Sequence, residues 1–212
     1  MQAPTLRDVY RAKKTIAPHI PRTPLHYSAG LSSMLEAEVY LKHEEYLPLG
    51  AFKGRGGINL LANLSEEEKK LGLITASSGN HGQSMASACK LFGVKAVIGL
   101  PEDANPNKVA AMRALGAELI FHGADFDAAR LHCEQLAKEE GYRFVHPVND
   151  PLLVAGVGTQ ALETIEDLPD VQVLMIPLGG GSGVCGACIV AKGIDPAIEV
   201  LAVQSEQAPA GY

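Results

Sequence analysis

Residues 73–100 read LITASSGNHGQSMASACKLFGVKAVIGL, and this stretch decides the fold class. The runs LITA and AVIGL are short, apolar and bounded by glycine or polar residues, which is typical of buried β-strands. Between them lie a loop of small residues and a stretch that we read as a helix. A strand, a helix and a second strand at this spacing predict a parallel sheet with helices packed on its faces.

The same alternation continues along the chain. Further strand-like runs are VYLKH, AELIFHG, YRFVHP, QVLMIPL and EVLAVQ, and further helical stretches are 53–64, 106–115, 125–140, 152–166 and 184–192. An opening helix is predicted from Thr5, a typical N-cap, with Asp8 three residues later. We therefore predict an α/β protein with two open, twisted, mainly parallel sheets flanked by helices. Residues 1–71 and 150–212 form a large lobe, and residues 72–149 form a smaller inserted lobe.

The composition argues against several classes of partner. The chain has 212 residues, of which 47% are hydrophobic and 20% charged, and its formal charge is −6. Nucleic acids and anionic membranes need a concentrated basic face, which the sequence lacks, so we expect a small-molecule ligand and neither of those partners. No apolar run approaches the roughly 18 residues of a membrane span, and the first residues lack the apolar core of a signal peptide. With its four cysteines in apolar or helical contexts, the protein is predicted to be cytoplasmic.

One lysine stands out within residues 47–57, LPLGAFKGRGG, where Lys53 lies among four glycines. Glycine costs roughly 0.5–1 kcal/mol in regular structure, so such a cluster marks a tight turn or a close approach to the backbone. We interpret the glycines as letting the backbone fold closely around Lys53. Arg55, in the same segment, is expected to steady it through a carboxylate.

Two further segments follow predicted strands, where open α/β sheets bind their ligands. The first is SSGNHGQS, residues 77–84, and the second is PLGGGSG, residues 177–183. Glycines and small polar residues before a helix can turn several backbone N–H groups toward one anion. A capped helix start explains the first loop equally well. The second has four glycines in five positions, more than a turn requires, and so predicts an anion site.

The second loop also fits another class of protein. GSGVCG, residues 181–186, matches the G-x-G-x-x-G pattern of dinucleotide-binding domains, and Glu206 follows about 20 residues later. A nicotinamide-nucleotide-binding domain is therefore an alternative. Against it, such a site uses the first strand of its unit, whereas several strand-like runs precede these glycines, and Lys53 would have no role.

Two candidate anion sites and one lysine, without a cluster of metal-ligand residues, favour a cofactor that carries a phosphate and an aldehyde. Pyridoxal 5'-phosphate has both groups. LPLGAFKGRGG, SSGNHGQ and PLGGGSG resemble, in order and spacing, the lysine, substrate-carboxylate and phosphate motifs of the fold type II pyridoxal-phosphate enzymes, the tryptophan synthase beta-like superfamily. The resemblance is greatest to the serine/threonine dehydratase and serine racemase group. The runs HPVNDP, VAGVGTQALE and AMRALGAELIFHG extend it over nearly the whole chain.

This resemblance implies a role for each matching residue. Lys53 is similar to the lysine that forms the Schiff base, Phe52 to the aromatic residue beside the cofactor, and Asn80 to the amide that hydrogen-bonds the ring hydroxyl. The residues that resemble the phosphate cradle are Gly179, Gly180, Gly181, Ser182 and Gly183. The residues that resemble the loop around the substrate carboxylate are Ser77, Ser78, Gly79, Asn80 and His81.

The chain departs from the family pattern in three places. Leu49 and Ala51 replace hydroxyl residues of the lysine motif, so we expect a more apolar pocket that favours threonine over serine. Gln204 and Ala210 stand where racemase-like relatives carry acidic metal ligands, and no metal site is expected there. The family continues beyond the position where this sequence ends, so the large lobe is expected to be incomplete.

We therefore predict a pyridoxal-phosphate-dependent lyase that converts a hydroxy amino acid such as threonine or serine to a 2-keto acid and ammonia. Lys53 would carry the α-proton. Ser78 matches the second acid/base of racemising relatives, which makes racemisation a side activity. A truncated, non-catalytic homologue is a further alternative, and a homodimer or higher homo-oligomer is expected.

Overall fold

The computed structural model describes residues 2–207, which form nine α-helices, one short 3-10 helix and eight strands. The helices are α1 (Leu6–Ile16), α2 (Ala29–Leu35), α3 (Lys53–Ala62), α4 (Glu66–Leu71), α5 (Asn80–Phe92), α6 (Pro106–Ala114), α7 (Phe126–Glu140), α8 (Pro151–Asp167) and α9 (Ser182–Ile194), with the 3-10 turn at Glu44–Tyr46. The strands are β1 (Leu25–Tyr27), β2 (Tyr40–Lys42), β3 (Leu73–Ala76), β4 (Ala96–Leu100), β5 (Glu118–Phe121), β6 (Arg143–Phe144), β7 (Val173–Pro177) and β8 (Glu199–Val203).

The largest sheet has four parallel strands in the order β5-β4-β3-β6, all supplied by residues 73–144. Its two central strands, β3 and β4, are buried at every position. Strands covered by helices on both faces read as continuous apolar runs, which is why LITA and AVIGL identified them. The α/β class and the mainly parallel pairing predicted from the sequence are confirmed.

The other strands differ in part from the prediction of a single second sheet. Strands β7 and β8 pair in parallel, with α9 crossing between them, whereas β1 and β2 form a separate antiparallel pair. The sequence analysis did not identify β1, because it has only three residues and two of them are exposed. Local sequence shows which segments favour strands, but pairing depends on contacts between segments far apart in the chain.

Helix α8 supports the two helices that begin at the candidate site. It packs mainly against α3 and α9, and the backbones approach closely at glycines. A Cβ on Gly156 would lie 2.7 Å from the carbonyl oxygen of Arg55, and one on Gly186 would lie 2.8 Å from the Cα of Gly158. Only glycine fits such contacts, so the sequence VAGVG in α8 holds the starts of α3 and α9 in one place.

The opening helix α1 begins as the sequence predicted. The Thr5 side chain accepts a hydrogen bond from the backbone N–H of Asp8, and the Asp8 carboxylate accepts from the Thr5 backbone in return. None of the helices in residues 2–207 is both long enough and apolar enough to cross a membrane.

Candidate active site

Lys53 is the first residue of α3, and two of the glycines near it serve helix packing. Gly50 has φ +61°, a left-handed conformation that favours glycine. A Cβ on Gly56 would lie 3.0 Å from the carbonyl oxygen of Leu153 in α8, and one on Gly57 would lie 2.9 Å from that of Ser84 in α5. Gly56 and Gly57 therefore let α3 approach both neighbouring helices.

The Lys53 amine points toward the glycine-rich loop before α9. Its Nζ donates to Ser182 Oγ at 2.6 Å and lies 3.5 Å from the carbonyl oxygen of Pro147. No carboxylate in the described part of the chain forms an ion pair with it, and burial lowers the pKa of Lys53 from 10.5 to about 8. A substantial fraction of this amine is consequently neutral, and therefore nucleophilic and basic, near pH 8.

The loop of Gly179 to Gly183 leads into α9 without a capping side chain. Its N-cap is Gly181, at φ +102°, and among residues 2–207 no side chain accepts from the first turn. The first N–H groups of the helix are thus unpaired within the helix, and they lie at the positive end of its dipole. Ser182 and Gly183 are buried, whereas Gly179 and Gly180 are exposed. This end of the site has the donors that a phosphate monoester requires.

The aromatic residue of the lysine motif contacts the same loop. A Cβ on Gly183 would lie 3.2 Å from Cζ of the Phe52 ring, and the Lys53 ammonium lies 5.6 Å from the centre of that ring. The structure therefore brings Phe52 and Lys53 together with Ser182 and Gly183, although about 130 residues of chain separate the two pairs.

The loop of Ser77 to His81 runs from the end of β3 into the first turn of α5. The Ser77 hydroxyl accepts from the Gly79 N–H at 3.2 Å, and α5 begins at Asn80 without a side-chain cap among the described residues. Its open N–H groups form a second place where an anion can bind. The helix is tied to the lysine because Ser84 Oγ donates to the carbonyl oxygen of Lys53 at 2.6 Å.

Within this loop, the side chains divide between the surface and the core. Ser78 and Asn80 are exposed, and neither forms a described hydrogen bond with Lys53. His81 is buried beneath β3, with Nε2 3.0 Å from Thr75 Oγ1. Burial, with the charges of Lys53 and His146, lowers the pKa of His81 to about 3, so the ring is neutral. Any contact of His81 with a substrate carboxylate must therefore come from its backbone N–H.

None of the described contacts joins the two departures in the lysine motif to the Lys53 amine. Ala51 is buried, and Leu49 lines a cavity of about 40 Å³ together with Leu47, Ile58 and Ser84. None of the predicted site residues from 77 to 81 or 179 to 183 lines this cavity. The structure gives no support to the expectation that Leu49 and Ala51 face a substrate and select for threonine.

Sequence reasoning assigned no role to three features that the structure places at the site. Pro147 and Val148 lie over Lys53 and the glycine loop, and a Cβ on Gly180 would be 2.7 Å from Val148 Cγ2. The signal for them was available, because HPVNDP follows the strand β6 just as the other loops follow their strands. The third is Lys108, whose amine lies 2.9 Å from Asn80 Oδ1. Nothing in the local pattern around Lys108 indicates that contact.

Arg55 lies at the centre of a buried ionic network beneath the lysine. Its guanidinium bonds to Glu44 at 2.7 and 2.8 Å and to Glu163 at 2.7 and 2.9 Å, and to Thr159 at 3.1 Å. The structure thus identifies the carboxylates that the sequence could not. Burial alone raises the pKa of Glu163, but the hydrogen bonds from Arg55 and Lys42 outweigh it and hold that pKa below 4.5. This stabilisation is present above pH 4.5 and is lost as the pH falls through the lower folded-state pKa.

The first prediction concerns this network. Arg55→Ala should lower the free energy of unfolding by roughly 3–5 kcal/mol, because it removes the guanidinium that pairs with Glu44 and Glu163 and leaves only Lys42 beside Glu163. Arg11→Ala, which removes an exposed pair with Asp8, is the control and should stay within about 0.5 kcal/mol of the wild type. Urea titrations at neutral pH measure both, and equal losses for the two variants would contradict the prediction.

Within the described residues, no group of three or more histidine, cysteine, aspartate and glutamate side chains could hold a metal ion. Of the two positions singled out as departures from a metal site, Gln204 follows β8 and Ala210 lies outside the described residues. The candidate site offers other groups than metal ligands. The Lys53 amine suits an aldehyde, the two uncapped helix N-termini suit two anions, and the Asn80 amide suits a ring oxygen.

Known proteins resemble this chain over nearly its whole length. The family model described as "Pyridoxal-phosphate dependent enzyme" matches residues 16–212. An L-threonine ammonia-lyase of Thermotoga maritima is 43% identical over 205 residues, which cover 97% of this chain and 51% of that protein. The L-threonine dehydratase catabolic TdcB of Staphylococcus aureus is 41% identical over 203 residues, covering 95% and 59% of the two chains. The chain therefore spans about half the length of the curated relatives it matches.

Solved structures also match this chain over nearly its whole length. Maize serine racemase matches with a TM-score of 0.93 and 32% identity, covering 98% of this chain and 63% of that one. The processed form of threonine deaminase isoform 2 from Solanum lycopersicum matches with a TM-score of 0.85 and 31% identity, covering 96% and 61%.

Proposed function

The chain belongs to the family of pyridoxal-phosphate-dependent enzymes, and from that premise we propose that it removes water and ammonia from a hydroxy amino acid such as threonine or serine. One observation carries the proposal: the Lys53 amine lies 2.6 Å from Ser182, at the start of a helix that glycines leave open to an anion. The membership also favours this function over the nicotinamide alternative, which leaves Lys53 without a role.

The residues present fit the cofactor. The backbone of Gly179 to Gly183 and the uncapped end of α9 would hold its phosphate, and Lys53 would bind its aldehyde carbon. Phe52 packs against Gly183 beside the amine, so its side chain would lie next to the cofactor ring. When bound, pyridoxal phosphate supplies an electron sink for the electrons left at the substrate Cα after proton removal.

The chain's own residues position the substrate and move its proton. The open N–H groups of the loop from Ser77 to His81 would bind the substrate carboxylate, which the positive end of α5 favours. Lys53 would accept the α-proton, since burial places its pKa at about 8 and leaves enough neutral amine at that pH. The Ser84 hydroxyl donates to the Lys53 carbonyl oxygen, so the base keeps its position relative to the loop that would bind the carboxylate.

The net reaction balances without an oxidant. The substrate loses its α-proton and its β-hydroxyl group, which together leave as water. One water molecule then adds to the released enamine product, and ammonia leaves, so that a 2-keto acid and ammonia are formed from one hydroxy amino acid.

Racemisation is a second candidate, favoured by the structural match to serine racemase and by the exposed Ser78. It requires an acid/base on the face of the substrate opposite Lys53. Among the described residues, no base accepts a hydrogen bond from the Ser78 hydroxyl, and an unactivated hydroxyl is a weak base. We therefore rank racemisation below elimination.

The function is tested with purified protein supplied with pyridoxal phosphate. Ammonia and 2-keto acid should appear in equal amounts from L-threonine or L-serine, and chiral analysis of the remaining substrate measures racemisation. Borohydride treatment should add the mass of the reduced cofactor at Lys53. Protein that takes up cofactor at Lys53 but releases no ammonia would indicate the non-catalytic homologue, and protein that binds only nicotinamide nucleotide would support that alternative.

A second prediction concerns the basicity of Lys53. In cofactor-free protein its amine should titrate near 8, the pKa that burial gives it. The exposed Lys138 serves as an internal reference for the labelling reaction. Competitive labelling with trace acetic anhydride at different pH values, followed by peptide mass spectrometry, compares both lysines in one sample. A Lys53 reactivity that keeps rising beyond pH 10 would show that burial does not depress this pKa.

We also propose that the site lies between two lobes, residues 72–149 and the remainder of the chain. In support, the four-stranded sheet uses only residues 73–144, while Lys53 and the glycine loop lie outside that range. Limited proteolysis should cut near residues 72 and 150 before it cuts within the sheet.

A cytoplasmic location and a homo-oligomeric state are proposed as well. All four cysteines are free, which suits a reducing compartment. Burial raises the pKa of Cys89 to about 12 and that of Cys133 to about 11, so these two thiols are unreactive. Exposed apolar side chains such as Met34, Leu35 and Met175 leave surface for association. Light scattering of the purified protein measures the oligomeric state.

A further inference from the structure

Lys108 contacts the loop that begins α5, and the sequence analysis gave it no role. Its Nζ lies 2.9 Å from Asn80 Oδ1 and 3.5 Å from Gln83 Oε1. Lys108 belongs to the first turn of α6, and Asn80 and Gln83 belong to the first turn of α5. The contact therefore joins the starts of two helices at one edge of the candidate site.

The position of this charge is costly for the helix that carries it. A cation in the first turn of a helix is disfavoured by the positive end of the helix dipole. Within residues 2–207, no carboxylate pairs with Lys108, and the amine is met only by amide oxygens. The stability of α6 does not explain a lysine here, which points to a role at the neighbouring loop.

The two helices are held in fixed relation by packing. A Cβ on Gly82 would lie 2.7 Å from Met112 Sδ, so α5 and α6 approach as closely as a glycine allows. Met112 is fully buried and lies one turn after Lys108, on the same face of α6. This packing fixes the starts of the two helices relative to each other, with Asn80 within reach of the Lys108 side chain.

We propose that Lys108 is a positioning residue that fixes the orientation of the Asn80 amide for the cofactor, an inference that rests on the proposed function. An ammonium group has only donors, so it must face the amide oxygen of Asn80. The amide NH₂ group then points away from Lys108 and donates to what binds beside it. An oxygen on the cofactor ring would be met by a donor, and its ionised form would be stabilised.

Without Lys108, the amide can rotate by half a turn and present its oxygen instead. Two oxygens would then face each other, and binding of the cofactor would weaken. Arginine also carries only donors, so Lys108→Arg should keep much of the effect, whereas Lys108→Met should lose it.

The test is a double-mutant cycle with cofactor binding as the readout. In the wild-type background, Lys108→Met should weaken pyridoxal phosphate affinity about tenfold, the order of one charged hydrogen bond, and should change the ratio of the bound cofactor's absorbance bands. In an Asn80→Ala background the same substitution should change neither quantity. Lys14→Met, on the exposed side of α1, controls for loss of a surface charge.

The outcomes separate the proposals. An equal effect of Lys108→Met in both backgrounds would show that it acts through its charge or through α6, and no effect in the wild-type background would remove its role altogether. Either result overturns this inference and leaves the proposed reaction standing. Cofactor binding that follows the cycle as expected, in a protein that releases no ammonia, would support this inference and overturn the reaction. A wild-type protein that binds no pyridoxal phosphate would overturn both.

Discussion

Replacing Lys53 with alanine should reduce the kcat for ammonia release by roughly a thousandfold or more, while the phosphate end of the site continues to bind its ligand. The amine is the only group in the described site placed to bind the cofactor aldehyde, and we assign it the α-proton as well. The phosphate is held by backbone N–H groups of the loop before α9, which the substitution does not touch. Stopped assays of ammonia and equilibrium dialysis with pyridoxal phosphate measure the two effects separately.

Removing the Lys53 amine should change the free energy of unfolding little. Burial already disfavours the charged form of Lys53, whose pKa is lowered to about 8, so removing the amine relieves that cost. Lys53→Met, which keeps an apolar chain of similar length, should therefore unfold at a temperature no lower than the wild type. Ser182→Ala is the matched control for the 2.6 Å contact, and it should retain most of the turnover. Ammonia release by Lys53→Ala at a near-normal rate would refute the assignment of the base.

Gly180→Asp should weaken cofactor binding roughly a hundredfold more than Gly180→Asn does, because only the aspartate places a negative charge beside the phosphate. The two side chains have nearly the same shape. Both put a Cβ 2.7 Å from Val148 Cγ2, so the displacement of Val148 is common to both and cancels in the comparison.

A second glycine controls for the loop itself. Gly179 has no atom within 4 Å of an added Cβ, so Gly179→Ala should bind the cofactor almost as well as the wild type. Circular dichroism checks that all three variants are folded. If the aspartate and asparagine variants bind equally well, the phosphate does not lie at this loop, and the anion site must be assigned elsewhere.

The sequence predicted local features best. Thr5 and Asp8 identified the start of α1, since the capping interaction lies within four residues. The buried strands β3 and β4 were recognised because a strand covered on both faces is apolar throughout. The candidate loops could be located because each follows a strand of a parallel sheet, which places them all at carboxyl ends. The roles assigned to the residues of these loops remain predictions.

The sequence could not predict features that depend on contacts between residues far apart in the chain. Nothing near Arg55 in the chain identifies Glu163 as its partner, which lies 108 residues away. His81 sits in a loop of small polar residues, yet its side chain is buried against Thr75, because α5 turns that position toward the sheet. The contact of Lys108 with Asn80 likewise depends on how closely α6 packs on α5.

By itself, then, the sequence determined the fold class, the alternation of strands and helices from β3 onward, and the three motifs that mark the family, because these follow from local pattern and spacing. The tertiary structure alone decided that Lys53 meets Ser182, that burial lowers the pKa of its amine to about 8, and that Gly56 and Gly57 serve helix packing. The physical reason is that desolvation and hydrogen bonding depend on which atoms surround a group, and at this site those atoms come from α3, α5, α8 and α9 together.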